Sequence, residues 1–148
     1  MVENTQQSQQ QAIDILKTQQ FTCTVSSVLM KNHKQYGKKF MYDGKANTCW
    51  YSDQGLPQFV TFKFEQAQQQ LKTVKILSQG GFCPKEIAIY FDDKEVEGHE
   101  MEDSNLEQEI NINEENQKIK FSTVKFEFRQ ISDLFGRCII YNISLISP

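Results

Sequence analysis

The sequence predicts an all-β fold, a sandwich or jelly roll built from short strands. Beyond residue 20, apolar side chains recur at every second position, which is the period of a strand with one buried face. Turn residues separate these short runs, and no long helical pattern lies between them. The length of 148 residues suits one domain that can bury a real core.

The first 20 residues differ in composition from the rest. The stretch MVENTQQSQQQ is rich in glutamine and offers little apolar surface, so we expect it to be disordered. After this stretch, four side chains fall near helical spacing: Ala12, Ile13, Leu16 and the stem of Lys17. They predict a brief amphipathic helix that either frays against the domain or docks a partner. We therefore divide the chain into an extension, residues 1–20, and a β-sandwich domain, residues 21–148.

Alternating runs predict five strands in the first three quarters of the domain. Their apolar positions are Phe21, Cys23 and Val25; Val60, Phe62 and Phe64; Val74 and Ile76; Ile87, Ile89 and Phe91; and, more weakly, Ile110 and Ile112. Turns at Leu56-Pro57 and at Gly80-Gly81 separate neighbouring runs. The acidic residues between Asp92 and Glu115 lack the ligand pattern of an EF-hand, so they predict a variable, solvated loop.

In the last two predicted strands, apolar residues occur at both odd and even residue numbers. In the first of them the apolar positions switch from odd to even numbers: Ile119 and Phe121, then Val124, Phe126 and Phe128. This switch predicts a bulge or bend around Ser122-Thr123. In the final strand one face is lined by Ile139, Tyr141, Ile143 and Leu145, and the other also has apolar members, Cys138 and Ile140. We expect that strand to be central and buried on much of both faces.

Composition argues against several classes of function. A net charge of −3 and a pI near 5.4 do not favour electrostatic binding of nucleic acid or anionic lipid over a broad surface. The four cysteines include no CxxC pair, which is poor spacing for zinc. The start lacks the basic and apolar regions of a secretory signal, and no stretch approaches the ~20 apolar residues of a membrane span. We expect a cytoplasmic protein, with the nucleus and the cilium as further candidate locations, and not a secreted one.

Four segments in chain order carry a resemblance to a known family. They are SSVLMKNHKQYGKKFMYDGKANTCWYSDQG, PQFVTFKF, ILSQGGF and DLFGRCIIYNISLI, and they span the chain from Ser26 to Ile146. Together they resemble the small family of nuclear-receptor-associated proteins known from an orphan testicular receptor. That family has the galactose-binding-like fold, also called the discoidin or coagulation-factor type C fold. The resemblance implies a single jelly-roll β-sandwich with a protein-binding role and no enzymatic activity.

The sequence contains no pattern that identifies an enzyme. His33 and His99 lie in polar segments, and no nucleophile elbow, phosphate-binding glycine loop or HExxH pattern is present. The leading hypothesis is a non-catalytic protein-interaction module, a subunit or adaptor of a larger intracellular assembly that could be ciliary or cytoskeletal. One alternative is a carbohydrate- or lipid-binding domain with a degenerate calcium loop. The other is a transcriptional co-regulator that binds a nuclear receptor.

Calcium is the only cofactor that the sequence leaves open, and none is required. The resemblance implies a calcium loop in which Asp43 and Thr48 match ligand positions and Asn142 stands at the last-strand position. Lys45, however, stands where a second acidic or amide ligand is expected, and an ammonium both removes an oxygen and repels the ion. The competing interpretation is that Asp43 and Thr48 hydrogen-bond their own turn.

Aromatic and basic residues in turns define a candidate ligand or partner face. Its members are Tyr36, Lys38, Tyr51, Asp53, Phe82 and Phe135. The segment from Asn32 to Lys39, NHKQYGKK, either contacts phosphate or an acidic partner surface or is a solvated loop. The lone tryptophan, Trp50, could stack on a sugar, but its position favours a core anchor. We expect Arg137 to pair with a carboxylate beneath the loops.

Overall fold

Two antiparallel sheets pack face to face and enclose the core. The computed structural model describes residues 12–148. Its strands are β1 (Phe21–Val25), β2 (Trp50–Tyr51), β3 (Gln58–Phe64), β4 (Thr73–Ser78), β5 (Pro84–Phe91), β6 (Lys94–Glu100), β7 (Gln108–Asn111), β8 (Thr123–Ile131) and β9 (Ile139–Ile146). One sheet has the order β1-β3-β8-β5-β6 and the other β2-β9-β4-β7. The predicted all-β sandwich is confirmed.

Helices are short and lie outside the sheets. The α-helices are α1 (Ile15–Thr18) and α2 (His33–Tyr36), and single 3₁₀ turns cover Leu29–Lys31, Lys38–Met41 and Asn116–Lys118. None of the helices in residues 12–148 has the length and apolarity needed to cross a membrane.

The core lies between the two sheets and follows strand alternation. In β3, the side chains of Val60, Phe62 and Phe64 are buried while that of Lys63 is exposed. The largest fully buried side chains include Trp50, Phe62, Phe121, Phe126 and Phe128. Each such side chain contributes roughly 1.5–3 kcal/mol through removal of apolar surface from water. This rigid core is the support on which the loops are held.

The acidic region is not one loop, contrary to the sequence prediction. Lys94–Glu100 forms β6, an edge strand paired with β5 after a tight turn in which Asp92 and Asp93 have positive φ. Charged side chains suit an edge because they discourage pairing with another chain. Further along, β7 contains the predicted Ile110, while Ile112 lies just beyond the strand and is also buried.

The parity changes near the C-terminus have two different outcomes. Phe121 forms an isolated bridge with Gln69, and the chain bends at Ser122 before β8 begins, as the sequence indicated. In β9, the register shifts opposite Leu77 and Ser78. The side chains that enter the core cluster are therefore those of Ile140, Ile143 and Leu145 in β9 and of Cys138 just before it. The prediction of a continuous odd-numbered face was wrong at Ile139 and Tyr141, although β9 is central as expected.

The segment before β1 packs on the end of β9. The Asp14 carboxylate accepts a hydrogen bond from Leu16 N at 3.0 Å, which caps α1, and another from Leu145 N at 3.1 Å. Ile15 and Leu16 are buried, whereas Ile13 is exposed. The buried face thus differs from the predicted one. The predicted disorder of residues 1–11 lies outside the described residues, and the boundary at residue 20 stays a prediction.

The pairing of the strands shows which connections lie at the same end of the sandwich. Val25 pairs with Val60, and Pro84 pairs with Ile131, so the chain leaves or enters these strands on the same side. We call this side the loop end; its connections are residues 52–57, 79–83, 101–107 and 132–138 and the first part of residues 26–49. The later part of residues 26–49 runs toward the opposite end, where the Tyr42 ring packs 5.1 Å from that of Phe21, before the chain turns back into β2. The chain between β3 and β4 and the end of β9 lie at the opposite end.

Candidate functional site

Two loops at the loop end are locked together. Gly55 N donates a hydrogen bond to Phe135 O at 2.7 Å, joining residues 52–57 to residues 132–138. Gly136 has φ +78°, and a Cβ at this position would lie 2.6 Å from Gly55 O. Only glycine tolerates both the left-handed backbone and such close approach. The contact therefore fixes the relative position of the two loops.

An internal ion pair holds the second of these loops in shape. The Asp133 carboxylate accepts hydrogen bonds from Phe135 N at 3.2 Å, and from Arg137 N, Nε and Nη2, each at 3.0 Å. The hydrogen bonds from Arg137 lower the pKa of Asp133, and those same bonds raise the pKa of Arg137. The carboxylate partner expected for Arg137 is thus four residues earlier in its own loop.

Aromatic rings and Arg137 form a continuous row across three loop-end connections. Tyr36 and Tyr51 make an edge contact at 5.3 Å between ring centroids, and Tyr51 and Phe82 another at 5.9 Å. The Arg137 guanidinium lies 5.5 Å from the centroid of Phe82 and 5.5 Å from that of Phe135. We call these five residues the aromatic row. It brings together four of the six side chains that the sequence singled out.

Three apolar side chains, including Phe135 from the row, are exposed on two neighbouring loops. Leu56 is 49% exposed, Leu134 is 95% exposed and Phe135 is 62% exposed. We call them the apolar tip. Leu56 lies against Gly136, on the two loops that Gly55 and Phe135 lock together. Sequence reasoning found Phe135 but missed both leucines, although a leucine beside turn residues such as Pro57 or Asp133 is a usable signal.

The remaining two candidates lie outside the row. Lys38 is exposed in a 3₁₀ turn, where its charge is close enough to act on the thiol of Cys23. Asp53 accepts a hydrogen bond from Gln54 N at 3.0 Å and borders a cavity of about 340 Å³. The cavity is also lined by Val25, Ser26, Ser27, Val28, Lys31 and His33.

A buried amide that sequence reasoning missed holds the base of the loop end. Gln58 Oε1 accepts hydrogen bonds from Ser26 Oγ at 2.5 Å and Ser27 Oγ at 2.9 Å. Its Nε2 donates to Asp53 O at 2.9 Å and Gly55 O at 2.7 Å. The sequence did contain one indication that Gln58 is buried: its residue number is even, like those of the buried side chains in β3. Gln58 thereby joins the start of the long loop to the 52–57 loop.

Trp50 lies in the core and presents no face to solvent. Its side chain is fully buried, and its Nε1 donates to Ser27 O at 2.9 Å. The ring packs 6.4 Å from that of Phe128. A buried indole with its N–H satisfied supports the fold and is not available as a platform for a sugar.

The residues of the candidate calcium loop do not fit a calcium site. Asp43 Oδ1 accepts from Lys45 N at 2.9 Å and Oδ2 from Thr48 Oγ1 at 2.7 Å, which closes an Asx turn. Asn142 hydrogen-bonds instead to Ser144 Oγ at 3.2 Å. Calcium takes six to eight oxygen ligands, and residues 12–148 contain no group of three or more acidic, histidine or cysteine side chains placed to hold a metal.

The thiols have the character of core side chains. Cys23, Cys83 and Cys138 are buried, and no disulfide joins the four cysteines. Burial raises the pKa of Cys23 to about 12 and holds that of Cys138 well above its usual range. Since the thiolate is the nucleophile, these groups are poorly suited to nucleophilic chemistry.

Solved structures share the fold of this chain. A family 32 carbohydrate-binding module from Clostridium perfringens, in complex with galactose, matches with a TM-score of 0.70 and 18% identity over 92% of this chain and 98% of the other. An F5/8 type C domain from Bacteroides fragilis matches with a TM-score of 0.73 and 14% identity, covering 92% of this chain and 95% of that domain. The fold is therefore the galactose-binding-like jelly roll.

Sequence relatives identify a narrower group. No family model matches the chain. The nuclear receptor 2C2-associated protein of Danio rerio is 35% identical over 82% of this chain and 87% of its own length. The Homo sapiens protein of the same name is 33% identical over 82% of this chain and 88% of its own. Because about a third of the residues are shared over most of both lengths, this chain belongs to the nuclear receptor 2C2-associated protein family.

Proposed function

We propose that this chain is a non-catalytic protein-interaction module that binds its partner through the loop end. In this proposal it is a subunit or adaptor of a larger assembly inside the cell, in the cytoplasm, nucleus or cilium. The observation that carries the proposal is the apolar tip, which is exposed although the loops beneath it are rigidly held. The relatives' name, associated protein, supports a role in binding another protein.

Exposed apolar side chains are concentrated at the loop end. Of the seven large apolar side chains that are exposed in residues 12–148, five lie on its connections: Met30, Leu56, Leu106, Leu134 and Phe135. Contiguous apolar exposure on a stable domain marks an interaction site more often than chance placement. Aromatic and arginine side chains, as in the neighbouring aromatic row, are also the types enriched at the centres of protein interfaces.

Rigidity adds to the case for binding. The Gly55–Phe135 hydrogen bond and the Asp133–Arg137 pair fix the backbone that carries Leu134 and Phe135. A preformed surface loses little conformational entropy when a partner docks, so more of the contact energy appears as affinity. A loop serving only as a connection has no need of such contacts.

The test compares two doubly substituted proteins in affinity purification with mass spectrometry. Leu134→Ser/Phe135→Ser removes most of the apolar tip, while the control Ile13→Ser/Ile119→Ser removes two exposed apolar side chains away from the loop end. We expect the wild type and the control to retain the same partners and the tip variant to lose them. Retention of those partners by a folded tip variant would rule out this surface.

A carbohydrate-binding role is the second candidate, because solved neighbours of this fold include modules bound to galactose. The aromatic row offers ring faces at the loop end for this role as well. A glycan array with the wild type and Tyr51→Ala separates the two: a sugar signal lost on this substitution supports the second candidate, whereas a blank array rejects it.

The relatives' name also raises a nuclear receptor as a candidate partner. A pull-down of nuclear receptor 2C2 by the wild type, repeated with the tip variant, tests this. Receptor capture that depends on the apolar tip would make this chain a receptor-binding co-regulator.

A further inference from the structure

The longest connection at the loop end concentrates positive charge. Residues 26–49 contain one carboxylate, Asp43, and five lysines: Lys31, Lys34, Lys38, Lys39 and Lys45. With neutral histidine this connection carries +4, and since the whole chain carries −3, the other residues together carry −7. The positive charge is thus concentrated in this one connection, whereas the other four loop-end connections together carry −4.

The positive charge is available to a partner. All five lysines are exposed, and among residues 12–148 none of them forms a salt bridge; the pairs there are His99–Glu97, Arg129–Glu95, Arg129–Glu127 and Arg137–Asp133. Only Lys39 makes a cation–π contact, with its Nζ 5.2 Å from the Phe40 ring centroid. An unpaired cluster of this kind raises the local concentration and association rate of negatively charged ligands.

The lysines adjoin the aromatic row through one short helix. Tyr36, the first ring of the row, is the last residue of α2, and Lys34 and Lys38 stand two residues to either side of it. The same connection contributes Lys31 and His33 to the lining of the cavity of about 340 Å³. Lys31, Lys34, the half-buried ring of Tyr36 and a concave site therefore occur together in the first part of this connection.

We propose that the loop end binds an acidic protein segment that also carries an aromatic or large aliphatic side chain. This inference rests on the proposed function and names the chemistry of its partner. Carboxylates of the segment lie along the lysines around Tyr36, and the apolar side chain packs against the aromatic row and the apolar tip. Charge complementarity sets the association rate and partner choice, while the apolar contact supplies most of the affinity.

A peptide suits this surface better than a nucleic acid does. The 101–107 connection lies at the same end and carries three carboxylates, those of Glu102, Asp103 and Glu107. A long polyanion that extended past the lysines would approach these carboxylates and the rest of the domain, which is negatively charged and would repel it. A short acidic segment can place its charge on residues 26–49 alone.

The chemistry can be measured without knowing the partner, by selecting displayed random 12-residue peptides on the full chain. Lys34→Glu/Lys38→Glu/Lys39→Glu reverses the charge beside Tyr36, and the matched control Lys72→Glu/Lys118→Glu/Lys120→Glu reverses three exposed lysines at the opposite end. The most enriched peptide, synthesised with a fluorophore, is then titrated at two salt concentrations. A (dT)12 oligonucleotide and vesicles containing 20% phosphatidylserine are titrated in parallel.

We expect wild-type selection to enrich peptides with net negative charge and at least one large apolar side chain. The loop-end reversal should weaken their binding by about tenfold or more, while the opposite-end control changes it less than threefold. Binding should also weaken at the higher salt concentration.

Several results would overturn the acidic-segment proposal. They are enrichment of neutral or basic peptides, no enrichment over the loop-end reversal, or tighter binding of the oligonucleotide or the vesicles than of the peptide. If cellular partners lost by the Leu134→Ser/Phe135→Ser variant are still captured by the loop-end reversal, the proposed function stands and only the acidic chemistry fails. If the apolar-tip variant loses no partner, the proposed function fails as well.

Discussion

At the scale of single residues, Gln58 shows how a polar side chain can organise a loop surface from within the core. It is 3% exposed, yet each of its polar atoms has two hydrogen-bond partners. Those partners belong to segments that are far apart in sequence. A buried amide stabilises the fold when all of its hydrogen bonds are made. Loss of the amide leaves buried groups without a hydrogen-bond partner.

Gln58→Leu should lower the free energy of unfolding by about 3 kcal/mol, because the hydroxyls of Ser26 and Ser27 lose their acceptor and Gly55 O loses its donor, while Asp53 O keeps only the bond from Ser52 Oγ. Urea unfolding followed by Trp50 fluorescence measures this. Gln54→Leu, at an exposed position in the adjoining loop, is the control and should change stability by less than about 0.5 kcal/mol. Equal effects of the two substitutions would contradict the role given to Gln58.

The oxygens of Asp43 lead to a prediction about calcium. Because both accept hydrogen bonds within their own turn, millimolar calcium should leave the melting temperature within about 1 °C of its value in EDTA. Differential scanning fluorimetry with and without EDTA checks this, and magnesium controls for ionic effects. A rise of several degrees that Asp43→Asn abolishes would establish a calcium site.

At the scale of elements, local patterns predicted the strands that alternate between core and solvent. They failed for β6, because an edge strand such as KEVEGHE has charged residues on both faces and no apolar period. They also failed for the face of β9, because the register shift is created by pairing with β4 and leaves no local signal. Both errors arise from interactions between strands that a single segment does not contain.

The candidate site was predictable in its parts and not in its assembly. Turn positions pointed to Tyr51, Phe82 and Phe135 as exposed rings and to Tyr36 as a member of the partner face; Phe135 is exposed, and the other three rings are half-buried. Their contacts depend on the pairing of β2 with β9, which sets Tyr51 opposite Ile139. Gln58 was missed because its even number indicates a buried position but does not show that a glutamine there would find four hydrogen-bond partners.

The lock between the two loops can be tested with a matched pair of glycine substitutions. Gly136→Ala should cost about 3 kcal/mol, since its Cβ would lie 2.6 Å from Gly55 O in addition to the left-handed backbone. Gly44→Ala has nearly the same φ, +76°, but no atom within 4 Å, so it should cost about 1 kcal/mol. Equal losses in urea unfolding would show that the loops are not locked by this contact.

At the scale of the whole molecule, three carboxylates link stability to pH. Hydrogen bonds from Gly81 N–H lower the pKa of Asp103, those from Arg129 lower that of Glu127, and those from Arg137 lower that of Asp133. A carboxylate whose pKa is lower in the folded state binds fewer protons there than in the unfolded chain. Its stabilisation is full above the ordinary carboxyl range, about pH 4, and is lost as pH falls through the lowered pKa.

The urea midpoint should therefore be nearly constant from pH 7 to pH 5 and fall steadily from pH 4 to pH 2.5. Asp133→Asn should be less stable at pH 7 and should lose less stability on acidification, because one of the three linked groups no longer titrates. Glu115→Gln, at an exposed position, is the control. A midpoint that is unchanged between pH 7 and pH 2.5 would disprove the linkage.

The two ends of the described chain lie close together, and this determines how the domain can be joined to another protein or to a surface. Ser147 N donates to Ile13 O at 2.9 Å, and Asp14 bridges Ile146, so the two ends of the described chain leave side by side, opposite the loop end. A fusion partner joined at residue 12 or at residue 148 is therefore attached at the end opposite the apolar tip. The domain can thus be tethered, or inserted into a host protein through both positions, with the apolar tip still directed outward.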